Sequence, residues 1–247
     1  MDVNHTAARL FSGWEDGLLF SCLQGHMGQI IAHGADSALA RAGDFCFLAG
    51  APCRELVEQA PAPLLVPRDE GWAEMIEAVL GDRARRFTRY ATQKNPGNFD
   101  RARLEQLASS LPQRDIMLPI GAELDPALMA EVWSRDLCGN FQDGADFVRR
   151  GLGVAVLREG RPAAGAASYC VYDGGIEIEI DTRPDCRRQG LAAACGARLI
   201  LDCLDRGLYP GWDAHTEISL HLAQRLGYTL DRPYPAYWVE EKENRGG

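Results

Sequence analysis

Hydrophobic and polar positions are most clearly ordered in the second half of the chain. Three strand-like runs, Leu152–Leu157, Ala163–Val171 and Ile176–Thr182, follow one another with only turns between them. The intervening Glu159-Gly160 and Asp173-Gly174-Gly175 have hairpin chemistry. This pattern predicts an antiparallel meander rather than a doubly wound parallel sheet. The last run alternates, with Ile176, Ile178 and Ile180 on one face and Glu177, Glu179 and Asp181 on the other. After it comes a long apolar helix reaching Leu204, with Gly207 placed to end it. Before it, Ile116–Ile120 reads as a strand and Pro126–Leu137 as a helix with proline in its first turn. Asp146–Arg150 reads as the end of another short helix.

The first part mixes shorter pieces. Leu18–Leu23 and Gln29–Ala32 read as strands around a Gly25–Gly28 turn, and Asp44–Leu48 as a third, closed by Gly50 and Pro52. The run Leu64-Leu65-Val66 is apolar throughout, and Glu70–Leu80 has helical spacing with Gly81 as its stop. Arg85–Gln93 reads as a strand, Asn95-Pro96-Gly97-Asn98 as a turn, and Arg101–Ser110 as a helix ending before Pro112. No repeat or chemical motif occurs here. The texture changes at Pro112, which divides the chain into an α/β domain over 1–112 and a second domain over 113–247.

At 247 residues the chain is long enough for two cores, and with 46% hydrophobic and 25% charged residues it has globular composition. A net charge of −9 argues against a nucleic-acid surface and suits a cationic partner such as an amine. There is no apolar run of bilayer length, and Met1-Asp2-Val3-Asn4-His5 lacks a basic lead into an apolar stretch; a cytoplasmic, non-membrane protein is expected. The eight cysteines include no C-x-x-C pair, which predicts buried reduced thiols. Nothing among the five histidines has metal-ligand spacing, and no metal is expected.

Chemistry concentrates after the alternating strand. Arg183-Pro184-Asp185-Cys186 leads into Arg187-Arg188-Gln189-Gly190-Leu191-Ala192, a glycine-containing turn that opens the long helix. First-turn N–H groups have no intrahelical acceptors and lie at the positive end of the helix dipole, so anions bind there. Arginines add charge-assisted bonds matched to phosphate oxygens, and a side chain at Gly190 would hold a pyrophosphate off the backbone. Neither a G-x-x-x-x-G-K-[ST] nor a G-x-G-x-x-G string is present at this turn. The alternative is an ordinary helix start with surface arginines.

Arg187-x-x-Gly190-x-Ala192, preceded by Thr182-x-Pro184, resembles the signature of the GNAT superfamily of acetyl-CoA-dependent N-acyltransferases, and the likeness extends from about Ile116 to Val239. Tyr172–Thr182, Trp212-Asp213, Ser219 through Leu226-Gly227-Tyr228, and Phe45–Gly50 are similar to the GNAT acetyltransferase subgroup that includes zwittermicin-resistance-type proteins. The resemblance implies an α/β (α+β) acyl-CoA N-acyltransferase fold with a mixed, largely antiparallel sheet, preceded by a smaller α/β domain.

It also implies acetyl-CoA as co-substrate, its pantetheine arm lying between the splayed fourth and fifth strands. Backbone at Ile180, Asp181 and Thr182 would hold that arm. Arg187, Arg188, Gln189, Gly190, Leu191 and Ala192 would hold the pyrophosphate. The later helix, with Thr216 and Ser219 near its start, would line the other side of the thioester. Glu177 and Glu179 are the base candidates, with Glu179 slightly favoured as nearer the splay. The family's tyrosine acid is missing: Ala223 falls at or next to its place, so either the thiolate leaves unassisted or Tyr234 or Tyr237 substitutes, and Thr216 reads as an N-cap.

The expected activity is direct acetyl transfer to an amine of a small molecule or peptide, with homodimerisation allowed for. Two alternatives are a non-catalytic acetyl-CoA-binding regulator on the same fold and a transferase using another thioester.

Overall fold

The structure, a computed structural model, describes residues 7–33 and 36–240. These fall into two compact units. One takes the described residues up to Arg89 and those from Pro233 onward; the other is Tyr90–Arg232.

The first unit contains α1 (Gly17–Leu23), β1 (Gln29–His33), β2 (Ser37–Ala42), β3 (Phe45–Gly50), α2 (Arg54–Glu58), β4 (Leu64–Pro67), α3 (Glu70–Leu80) and the start of β5 (Ala84–Thr92). Strands β1, β2 and β3 pair antiparallel in sequence, and β4 joins β3 in parallel. Leu39, Leu48, Leu65, Trp72, Ile76 and Tyr237 form its buried core. Leu18–Leu23, expected as a strand, is helix α1. Asp16 caps it by accepting from the Leu19 N–H, and a six-residue apolar run cannot by itself distinguish the two periods. Strand β2 was not legible in Ser37-Ala38-Leu39-Ala40-Arg41-Ala42, whose small residues have little strand preference, although five of the six are buried.

The second unit continues through α4 (Arg101–Ala108), β6 (Asp115–Pro119), α5 (Asp125–Met129), α6 (Gly144–Arg150), β7 (Gly153–Arg158), β8 (Arg161–Tyr172), β9 (Gly175–Thr182), α7 (Leu191–Asp205), β10 (Tyr209–Gly211), β11 (Asp213–Ala214) and α8 (Glu217–Leu226). The final strand, β12 (Leu230–Val239), carries the chain back into the first unit, where Tyr237 and Trp238 pair antiparallel with Leu65 and Leu64 of β4. The expected division at 112/113 therefore differs from the compact units: Tyr90–Pro112 lies with the second, and the described residues from Pro233 with the first.

One sheet of the second unit has the order β10-β9-β8-β7-β6. Its β6/β7, β7/β8 and β8/β9 pairs are antiparallel and β9/β10 is parallel, which is the mixed, largely antiparallel α/β arrangement expected. The hairpin turns have the left-handed backbone their residues favour, with φ of 52° at Glu159, 75° at Gly160 and 82° at Gly174. Helix α7 covers the isoleucine face of β9: a Cβ on Gly196 would lie 2.9 Å from Ile180 Cδ1. The helix expected over Pro126–Leu137 is broken. It stops at Met129, where the buried Ser134 hydroxyl donates to Leu128 O at 2.7 Å, and Arg135–Leu137 is a separate 3-10 turn. All eight cysteines are free and buried. No described helix is long and apolar enough to cross a membrane.

Gly50 is a point on which the first unit turns. Its φ is 83°, a Cβ there would lie 2.0 Å from the Asp36 carbonyl oxygen, and its own carbonyl accepts from the buried Trp72 indole at 2.8 Å. Gly50→Ala is expected to cost at least ~2 kcal/mol through left-handed strain and a backbone collision. Urea unfolding measures it, and a midpoint equal to that of the unsubstituted protein would contradict this account.

Candidate active site

Strand β10 accompanies β9 for three residues only: Tyr209 pairs with Gly175, Pro210 with Ile176 and Gly211 with Glu177. Beyond Gly211 the chain turns away, and Asp213 and Ala214 of β11 pair with Ala91 and Tyr90 of β5 instead. Strand β9 runs on to Thr182, paired with β8. The ladder thus opens after Glu177, leaving Ile178–Thr182 without β10 alongside. Such an edge offers backbone N–H and C=O groups to an extended ligand.

On the acidic face the three carboxylates meet different surroundings. Glu177 is buried, 7% exposed, and its Oε2 would lie 2.3 Å from a Cβ on Gly211, so the side chain packs against that glycine at the last rung. Its charge helps to raise the neighbouring Tyr209 phenol, which burial pushes up to about 12. Glu179 and Asp181 lie past the rung and are half-buried. Burial, and then the charge of Asp136 on the 3-10 turn, push Asp181 up to about 7 against the pull of Arg187. The alternation seen in the sequence places these groups on one face. Asp136 was missed, because nothing in its local pattern points toward β9.

Past β9, Arg187–Gly190 forms the turn into α7. Arg188 and Gly190 both have left-handed backbone, with φ of 59° and 84°. Helices α1, α3, α4, α6 and α8 each start with an Asp or Thr side chain accepting a first-turn N–H. Helix α7, the longest described, has no side-chain cap and no acidic residue in its first turn. A Cβ added to Gly190 would meet nothing within 4 Å, so the space in front of this turn is open. Open donors, an unobstructed glycine and the exposed Arg187 and Arg188 fit a phosphate group.

Within the turn, Arg187 and Gln189 have partners in the protein. Arg187 Nε donates to Thr182 O at 3.3 Å. Gln189 is turned to the protein: its Oε1 accepts from Arg158 Nη1 at 2.9 Å and Arg114 Nη2 at 3.3 Å, and its Nε2 donates to Asp185 O at 3.3 Å. Leu191 is buried under the helix, so it and Ala192 offer backbone.

At the start of α8 the two expected hydroxyls have structural partners. Thr216 Oγ1 accepts from Ser219 N at 3.2 Å, which makes it the N-cap, and Ser219 Oγ accepts from Trp212 Nε1 at 3.2 Å. Trp212 is buried and packs edge-on to Tyr228, ring centroids 5.4 Å apart. Ala223 is fully buried. Of the substitute acids, Tyr237 is fully buried and its hydroxyl donates to Glu77 at 2.5 Å, while Tyr234 accepts from Arg89 at 3.2 Å; both belong to the first unit.

Known proteins resemble this chain in sequence and in fold. An uncharacterized N-acetyltransferase of Bacillus subtilis (strain 168), YdfB, is 24% identical over 189 residues, covering 74% of this chain and 69% of its own. A GCN5-related N-acetyltransferase-like protein from Streptococcus suis 89/1591 superposes with a TM-score of 0.93 at 46% identity, covering 97% of this chain and 99% of that one. A GCN5-related N-acetyltransferase from Kribbella flavida shares the fold, with a TM-score of 0.59 at 17% identity over 96% of this chain and 97% of that one. The GNAT acetyltransferase family model matches residues 8–237, nearly the full length, and the chain belongs to that family.

Proposed function

We propose that the protein transfers an acetyl group from acetyl-CoA directly to an amine of a small molecule or peptide. The observation that carries this reading is the uncapped, open N-terminus of α7, reached from the strand that loses its neighbour at Gly211. Backbone N–H groups of Gly190–Ala192, with Arg187 and Arg188, would hold the pyrophosphate. Backbone of Ile180–Thr182 would hold the pantetheine arm. Bound there, acetyl-CoA supplies an activated acyl carbonyl.

The acceptor amine, near pKa ~10 for a lysine-like group, must lose a proton before it attacks. Glu179 suits that task better than Glu177, being past the last rung and half-exposed. Glu177, packed on Gly211, shapes the point where the strands part. The acidic face and a net charge of −9 suit a cationic acceptor. Backbone N–H of β9 beyond Glu177 would stabilise the oxyanion. With alanine at 223, no side chain at that position protonates the leaving thiolate. That absence favours a second reading, a non-catalytic acetyl-CoA-binding regulator, which predicts binding without turnover.

Gly190→Glu places a carboxylate before the anion site, so the rise in melting temperature with CoA is expected to vanish. An unchanged shift would refute the site.

Glu179→Gln is expected to lower turnover by a factor on the order of 10²–10⁴ at neutral pH while sparing CoA affinity, with the loss shrinking at high pH as the amine deprotonates unaided. Glu177→Gln should have the smaller effect. Full turnover in both single variants and the double variant would exclude either as base.

Asp181 provides a pH test of the site. Its carboxyl is neutral below about 7 and becomes, above it, an anion competing with phosphate for Arg187. From pH 6 to 8 CoA binding should weaken more in the unsubstituted protein than in Asp181→Asn, as measured by calorimetry. Parallel curves would contradict this.

A further inference from the structure

The turn before α7 is fastened by side chains that neither face the opening nor belong to the family signature. Asp115 begins β6, Arg158 ends β7, and the two are paired across the antiparallel ladder. Their side chains are buried, 0% exposed for Asp115 and 10% for Arg158. Arg158 meets Asp115 with two parallel bonds, Nε to Oδ1 and Nη2 to Oδ2, both 2.7 Å. That fork fixes the guanidinium plane and leaves Nη1 to project toward the turn, where it donates to Gln189 Oε1 at 2.9 Å and lies 3.5 Å from Cys186 Sγ. Gln189 then closes the turn on itself by donating to Asp185 O at 3.3 Å. Gln189 immediately precedes Gly190, the residue that opens the anion site.

The turn needs such support. It holds Arg188, a residue with a side chain, at a φ of 59° between ordinary backbone and Gly190 at 84°. It also leaves the first-turn N–H groups of α7 with no side-chain cap and no acidic residue in that turn. A site ordered before its ligand arrives loses less freedom on binding. We propose that Arg158, oriented by Asp115, is a positioning residue that holds Gln189 and thereby fixes the backbone N–H groups of Gly190–Ala192 for phosphate oxygens. This rests on the acetyl-CoA reading above. Arg158 acts through Gln189 and does not touch the ligand.

Arg158→Lys keeps the charge but lacks the fork, and separates positioning from simple attraction. Gln189→Met removes the link while leaving the buried pair in place; Gln189 is exposed, so this variant carries the test if Arg158→Lys does not fold. Calorimetry with CoA and with S-acetylpantetheine, the same arm without nucleotide phosphates, gives the decisive comparison. For both variants the CoA dissociation constant should rise about tenfold, the worth of one charge-assisted bond, with S-acetylpantetheine binding unchanged. The double variant should lose no more than either single one. Amide exchange at Ala194, whose N–H donates to Gly190 O at 3.1 Å and so closes the first turn, should quicken without ligand. An Arg158→Lys variant that binds CoA like the unsubstituted protein, equal losses with both ligands, or additive losses would each overturn the proposal. If the unsubstituted protein binds neither ligand, the acetyl-CoA reading fails, and exchange alone decides: unchanged protection in Gln189→Met overturns the positioning role.

Discussion

Three rungs of parallel ladder join β10 to β9, and the features of the second unit follow from where those rungs end. At Gly211 the absence of a side chain lets the Glu177 carboxylate lie against the backbone, and from there the chain leaves to pair with β5. What remains is a strand with isoleucines packed on α7, carboxylates on the other face, and an edge that β10 does not cover. The same strand delivers the chain to Arg187–Gly190, so the open edge and the open helix start are consecutive in sequence. One extended ligand with an anionic end could use both.

Electrostatics gives the two ends of this arrangement different characters. At the helix start, uncapped N–H groups and two exposed arginines favour anions. On the strand, Glu177 and Glu179 favour cations, while burial, and then the charge of Asp136, keep Asp181 neutral well above the usual carboxylate range. An anionic donor and a cationic acceptor would thus be drawn to different parts of one strand-turn-helix element.

Much of this was legible in the sequence where local chemistry decides the outcome. The meander was readable because each break carries a residue that accepts left-handed backbone, Glu159-Gly160 and Gly174, and because β9 alternates without interruption. The turn that opens α7 was readable because Gly190 stands where the helix must begin. Elements were misread where tertiary contacts decide. Asp16 makes a helix of Leu18–Leu23, Ser134 ends α5 early, and the small residues of β2 form a strand because their neighbours bury them. Within the site, Gln189 could not be recognised as scaffold, since its partners Arg158 and Arg114 come from distant segments. Nor does alternation separate Glu177 from Glu179; the contact with Gly211 does that.

The most direct measurement is a crystal structure of the protein with CoA. The account predicts pyrophosphate oxygens within hydrogen-bonding distance of the N–H groups of Gly190–Ala192, with the pantetheine arm along Ile178–Thr182 and its sulfur near Glu179. CoA bound elsewhere, or a pyrophosphate remote from the start of α7, would contradict it.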